Sequence, residues 1–209
     1  MKKYILTLIV ILNVSFVMAQ NLKFGAKLGL NIATLNGYRN AKSKIGYAIG
    51  GFVEIKVSEK IAIQPELLYS LQGVTSSVSS NGSDFSSSVD TNISLSYIYF
   101  PVMIKYYVVK KINVEAGPQI GFLTSFNGKL TENSSFPGYN EFKETILTST
   151  DDLNRIDFGL NLGAAYDITK NFSVGIRYCL GLNKYNKNSP SNGNDVKNSV
   201  LQIGIAYKI

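Results

Sequence analysis

A period of two constrains this fold more than any other feature of the chain. From Tyr97 to Phe122 the sequence reads YIYFPVMIKYYVVKKINVEAGPQIGF. Phe100, Val102, Ile104 and Tyr106 fall on one side of an extended chain, and Tyr99, Pro101, Met103 and Lys105 on the other. Beyond the basic turn Val109-Lys110-Lys111, the residues Ile112, Val114, Ala116, Pro118, Ile120 and Phe122 alternate with Asn113, Glu115, Gly117, Gln119 and Gly121. Successive side chains of a strand point to opposite faces. The stretch is therefore a β-hairpin with one apolar face and one face of charge, amide and glycine.

The same alternation predicts six further strands: Leu22–Asn31, Ile45–Val57, Ile61–Gln72, Arg155–Asp167, Phe172–Leu182 and a last one carrying Leu201 to Ile209. The fourth strand starts near Asn92. There Ile93, Leu95 and Tyr97 have the opposite phase to Phe100 onward, which predicts a bulge near Tyr97–Ile98. Ten residues rising about 3.3 Å each and tilted near 45° span roughly 23 Å, close to the apolar band of a bilayer. The connections alternate, with 32–44, 73–91, 125–154 and 184–197 long and 58–60, 108–111 and 168–171 short. Short periplasmic turns and long external loops follow this rule in bacterial barrels. The expected architecture is all-β, an eight-stranded antiparallel up-and-down transmembrane β-barrel.

The polar phase carries Gly25, Gly29, Gly46, Gly50, Gly117, Gly121, Gly159, Gly163, Gly175, Gly181 and Gly204. A water-facing surface has no reason to gather glycine on one phase. A narrow lumen does, because long charged side chains need small neighbours. The polar phase is therefore read as the inside and the apolar phase as the lipid side. Phe24, Tyr106, Tyr166, Phe172 and Tyr207 form one aromatic girdle, and Tyr47, Tyr69 and Phe122 the other.

Residues 1–19 read as a secretory signal: Lys2-Lys3, an apolar centre from Tyr4 to Val17, and a small-residue site before Gln20. Residues 20–209 then form one outer-membrane domain, placed there after cleavage near Ala19-Gln20.

The hairpin FPVMIKYYV with INVEAGPQIGF, followed by DFGLNLGAAYDI and SVGIRYCLGL, resembles the PorT-like family of bacterial outer-membrane β-barrel proteins. The resemblance covers the mature chain. It implies a barrel inserted by the barrel-assembly machinery of a Gram-negative cell and a link to protein secretion, with secretion-system proteins as partners. Tyr99 departs from the family in place of an acidic residue, and Ile209 in place of a terminal Phe.

Histidine is absent and Cys179 is the sole cysteine. That excludes an internal disulfide, a Cys/His zinc site and nucleophilic catalysis built on Ser-His or Cys-His pairs. No metal or cofactor is expected, nor is a nucleic-acid partner. The candidate site is an interior polar network of Lys27, Glu54, Glu66, Lys105, Glu115, Arg155, Asp157 and Arg177. Such a set can serve as a proton or ion path, or supply a carboxylate pair such as Glu66 and Glu115 for acid–base work. The structural reading is preferred: opposite charges neutralise one another in a sealed interior where an unpaired charge is costly.

Asp151-Asp152 with Glu132, Glu141 and Glu144 make the longest loop mildly acidic, without calcium-loop spacing. Arg39, Lys42 and Lys44 make the first loop basic. Acidic groups of lipopolysaccharide are candidate partners there, although solubility alone explains lysines in a loop. The expected role is that of a non-enzymatic outer-membrane component acting through loops or lipid-facing surface. A small pore or ligand conduit, and surface adhesion or defence, are the alternatives.

Overall fold

The computed structural model describes residues 22–37, 40–83, 85–150, 153–185 and 196–209. The leader reading, along with Arg39, Asp151, Asp152 and most of the connection 184–197, lies outside them. Nine strands are described: β1 (Leu22–Asn36), β2 (Ala41–Lys56), β3 (Ile61–Asn81), β4 (Ser86–Val109), β5 (Ile112–Phe136), β6 (Tyr139–Leu147), β7 (Ile156–Asp167), β8 (Phe172–Gly181) and β9 (Lys197–Lys208). Every pairing is antiparallel. The order β4-β3-β2-β1-β9-β8-β7-β5, with β4 also paired to β5, closes eight strands into a ring. The ninth, β6, stands outside the ring against the upper half of β5.

Closure removes the free edges that an open sheet would leave unpaired in lipid. The outward phase is apolar and exposed throughout the wall, for example Leu28, Ile49, Ile104, Leu160, Leu162 and Ile203. Both aromatic girdles lie on it, with Phe24, Tyr106, Tyr166 and Tyr207 at one rim and Tyr47, Tyr69 and Phe122 at the other. The inward phase is buried and polar in its lower part. Glycine on that phase lets side chains or backbone approach closely. A Cβ at Gly121 would stand 2.2 Å from the Tyr99 ring, and one at Gly50 would stand 1.9 Å from the Leu67 carbonyl.

Two expectations are corrected. First, connections 73–91 and 125–154 are not loops throughout. β3 pairs with β4 up to Asn81↔Ser86, and β4 with β5 up to Ser86↔Ser135. β5 then turns at Pro137-Gly138, where Gly138 has φ 79, and pairs with β6 from Phe136↔Tyr139 to Gly128↔Leu147. The Ser-rich run reads as loop by composition, yet serine and threonine suit an exposed two-sided ladder well enough once a neighbouring strand supplies the hydrogen bonds. The barrel therefore carries a four-stranded sheet rising from one side of its outer rim.

Second, β4 does not switch faces near Tyr97–Ile98. Its odd residues point inward from Ile93 to Tyr107, so Ile93, Leu95 and Tyr97 are buried inside. The register shift is real but falls on the partner. Ser96 faces Ser125 and Tyr97 faces Leu123, which leaves Thr124 as the extra residue on β5. Below it, odd residues of β5 point inward; above it, Phe126 and Gly128 do.

Candidate functional site

The lumen is built in three tiers. The lowest gathers Lys208, Glu54, Lys105 and Asp167. Lys208 Nζ lies 3.2 Å from Asp167 Oδ1 and 3.3 Å from Glu54 Oε2, and Lys105 Nζ approaches the same Glu54 oxygen at 3.2 Å. Lys105 also donates to Gln64 Oε1 at 2.8 Å, while Gln64 Nε2 donates to Glu66 Oε1 at 2.7 Å. One neutral amide thus joins the lowest tier to the next.

The middle tier centres on Arg177. Its Nη1 and Nη2 donate to the two Glu66 oxygens at 2.8 and 2.7 Å, and its Nε donates to Glu115 Oε1 at 2.8 Å. Lys27 Nζ stands 3.6 Å from Glu66 Oε1. A planar guanidinium offers a fixed fork of donors, which suits one arginine held between two carboxylates. Arg177 is 3% exposed, and Glu66 and Glu115 are also buried. A cavity of about 30 Å³ borders Lys27, Lys105, Glu115, Arg177 and Gln202, room for about a single water.

The upper tier is nearly neutral. Tyr99 donates to Asp157 Oδ2 at 2.6 Å, and Asn198 reaches both Gln72 Oε1 and the Tyr99 hydroxyl. Asn31 donates to Ser70 Oγ at 2.9 Å and to the carbonyls of Tyr47 and Leu71, and it accepts from Gln202 at 3.0 Å. Above this tier the lumen becomes apolar. Leu35, Leu68, Val74, Ile93, Leu95, Tyr97 and Leu153 pack into one buried cluster, with Tyr97 and Tyr99 stacked at 5.2 Å.

Of the eight residues named from sequence, Lys27, Glu54, Glu66, Lys105, Glu115, Asp157 and Arg177 meet in the lumen. Arg155 does not join them. It lies exposed one residue before β7, and its Nη2 donates to Thr150 Oγ1 at 3.2 Å. The strand begins only at Ile156, so the inward phase first becomes enclosed at Asp157. Sequence reasoning left out Lys208 and Asp167, although both follow the inward phase of their strands. It also left out Gln64, because an amide carries no charge to draw notice. Cys179 is a free, partly buried thiol on β8. Among the described residues, no three His, Cys, Asp or Glu side chains gather as a metal site.

The family described as outer membrane protein beta-barrel domain matches residues 18–186. The chain belongs to that family. As an outer-membrane β-barrel it turns the apolar phase to lipid, and the three tiers fill a lumen that eight strands leave just wide enough for side chains. Similar solved structures include surface protein A of Neisseria (NspA), at 14% identity, TM-score 0.46, with 90% of this chain and 97% of that chain covered. Ail, the attachment invasion locus protein of Yersinia pestis, is similar at 12% identity and TM-score 0.44, over 90% and 97% of the two chains. A de novo designed transmembrane β-barrel follows at 16% identity and TM-score 0.41, over 90% and 95%. No curated protein matches the chain in sequence.

Proposed function

We propose that this outer-membrane barrel is a non-enzymatic, non-conducting interaction component whose working surface is the external sheet of β3–β6. The observation that carries this reading is the filled lumen: an ion-paired lower half beneath an apolar upper plug of Leu35, Val74, Leu95 and Tyr97. A conduit needs a hydrated path. Here opposite charges hold one another, the polar side chains of the tier above are hydrogen-bonded among themselves, and the plug over that tier is mainly apolar. The external sheet, by contrast, presents accessible backbone and side chains well beyond the bilayer.

The PorT-like motifs make secretion-system proteins the leading class of partner, after export through cleavage near Ala19-Gln20 and insertion by the assembly machinery. The test is extraction from native outer membrane in mild detergent with mass determination of the intact complex. A stoichiometric protein partner supports the assembly role. Reproducible single-channel conductance of the purified barrel in a planar bilayer would overturn it in favour of the conduit.

A second reading, surface adhesion, rests on the tip of the sheet. Phe85 and Phe136 stack there at 6.0 Å, beside exposed Tyr139 and Phe142. Exposed aromatics of this kind are enriched in interaction surfaces. Replacing Phe136, Tyr139 and Phe142 by serine with the ring intact should abolish surface binding under that reading, and leave partner capture unchanged if the partner docks elsewhere.

A further inference from the structure

On β2–β5 the outward wall turns polar immediately above Ile45, Tyr47, Tyr69, Ile98 and Phe122. Cross-strand partners there set Lys42 against Thr75, Thr75 against Asn92, and Asn92 against Lys129, one row across four strands. Lys44 lies two residues nearer the bilayer, and its side chain crosses β3 over Gly73. A Cβ at Gly73 would stand 3.0 Å from Lys44 Cδ. The absence of a side chain at that position lets the ammonium reach β4, where it donates to Asn92 Oδ1, Ser94 Oγ and the Ile93 carbonyl.

All three acceptors are neutral. Lys44 is therefore held in place with its charge uncancelled by any carboxylate among the described residues. Lys129, in contrast, pairs with Glu144 at 2.8 Å. The carboxylates stand one row farther from the bilayer, with Asp90 opposite Ser77 and Thr131, and Thr131 opposite Glu144. A groove of about 450 Å³ runs over this wall, bordered by Lys42, Thr75, Asp90, Asn92, Lys129 and Thr131. Positive charge nearest the membrane, hydroxyls and amides beside it, and acid above make a graded surface at the depth of lipid headgroups.

We propose that this wall binds the phosphorylated sugar headgroup of an outer-leaflet glycolipid, lipopolysaccharide, with Lys44 and Lys42 holding the phosphate and the Thr75 and Thr131 hydroxyls contacting the sugar. The placement selects a membrane-anchored ligand. The cations lie on the lipid-phase face just above the apolar band, and not in the lumen or at the tip where a soluble anion would arrive. Basic side chains near an anionic membrane surface each contribute about 1 kcal/mol, so reversing two of them weakens binding by more than about tenfold.

The experiment titrates the full-length barrel in mild detergent with purified lipopolysaccharide, intact or stripped of its phosphates, and counts bound molecules by native mass spectrometry. The Lys42→Glu/Lys44→Glu variant should lose at least about tenfold in affinity for the intact glycolipid. The Lys110→Glu/Lys111→Glu variant makes the same charge change at the opposite rim and should bind as wild type. Dephosphorylated glycolipid should bind weakly to all three. A heat-dependent gel shift verifies that each variant retains the ring. Equal losses in both variants, or unchanged binding of the stripped glycolipid, would overturn the proposal. Inorganic phosphate that displaces the glycolipid at comparable concentration would make this a soluble-anion site, and would overturn it equally.

Discussion

Arg177 and Glu66 face each other across the lumen through two parallel N–H···O bonds of 2.7 and 2.8 Å, although 111 residues separate them in sequence. Neither β8 nor β3 neighbours the other in the wall. The pair is a strut through the barrel, braced by Glu115 at one side and Gln64 at the other. Arg177→Ala would leave two buried carboxylates short of their main cation and should cost about 3–5 kcal/mol. Arg177→Lys keeps the charge, loses the fork, and should cost less. Urea-dependent folding into detergent micelles measures both; equal losses would deny the fork geometry any role.

Adjacent glycines of β2 should respond in opposite ways to the same substitution. A Cβ at Gly50 would stand 1.9 Å from the Leu67 carbonyl, whereas the nearest atom to one at Gly51 is the Gly25 carbonyl at 3.5 Å. Gly50→Ala should destabilise by about 1–3 kcal/mol through a backbone clash. Gly51→Ala faces lipid with space to spare and should be neutral or stabilise by up to about 1 kcal/mol, through the reduced freedom of the unfolded chain. Folding midpoints of the two single variants decide the matter.

These glycines also mark what the sequence made legible. The eight wall strands and their inward phase followed from side-chain type alone, because lipid outside and charge inside impose opposite chemistry on alternate residues. The inward glycines belonged to the same pattern. The apolar plug did not. Ile93 and Leu95 look like lipid-facing residues, and nothing local tells a buried apolar side chain in a lumen from one in a bilayer. The extra residue at Thr124 was likewise hidden, since only the register with β4 exposes it. The rising sheet was obscured by serine, whose propensities leave strand and loop nearly balanced until a partner strand is present.

The Tyr99 hydroxyl donates to Asp157 Oδ2 at 2.6 Å. Tyr99→Phe removes it while preserving the ring stacked on Tyr97, and should cost about 1–3 kcal/mol. A double-mutant cycle with Asp157→Asn should show positive coupling between the two sites. Additive losses would mean that the hydroxyl acts through other neighbours.

Depth in the bilayer gives a further contrast. Leu162, near the middle of β7, is 66% exposed on the outward face, and Ile146 on β6 is 64% exposed above the rim. Leu162→Arg should cost about 2–4 kcal/mol by placing a cation in hydrocarbon. Ile146→Arg should fall within about 0.5 kcal/mol of wild type, as an ordinary change on a water-facing strand. Similar costs at both positions would place the apolar boundary elsewhere.

Thr124 gives β5 two allegiances. Beneath it the strand obeys the bilayer's alternation, and above it the same strand follows the reverse parity. Losing that one residue would straighten the strand and leave the upper arm facing as it does, because Leu123, Ser125 and Phe126 already stand opposite Tyr97, Ser96 and Leu95. Phe126 and Gly128 would stay inside, and Lys129 and Thr131 would stay outside. Thr124 is thus a one-codon insertion that the wall has absorbed without turning any neighbour over. A chain of this kind can gain or shed one residue at its rim and still show its surroundings the same face.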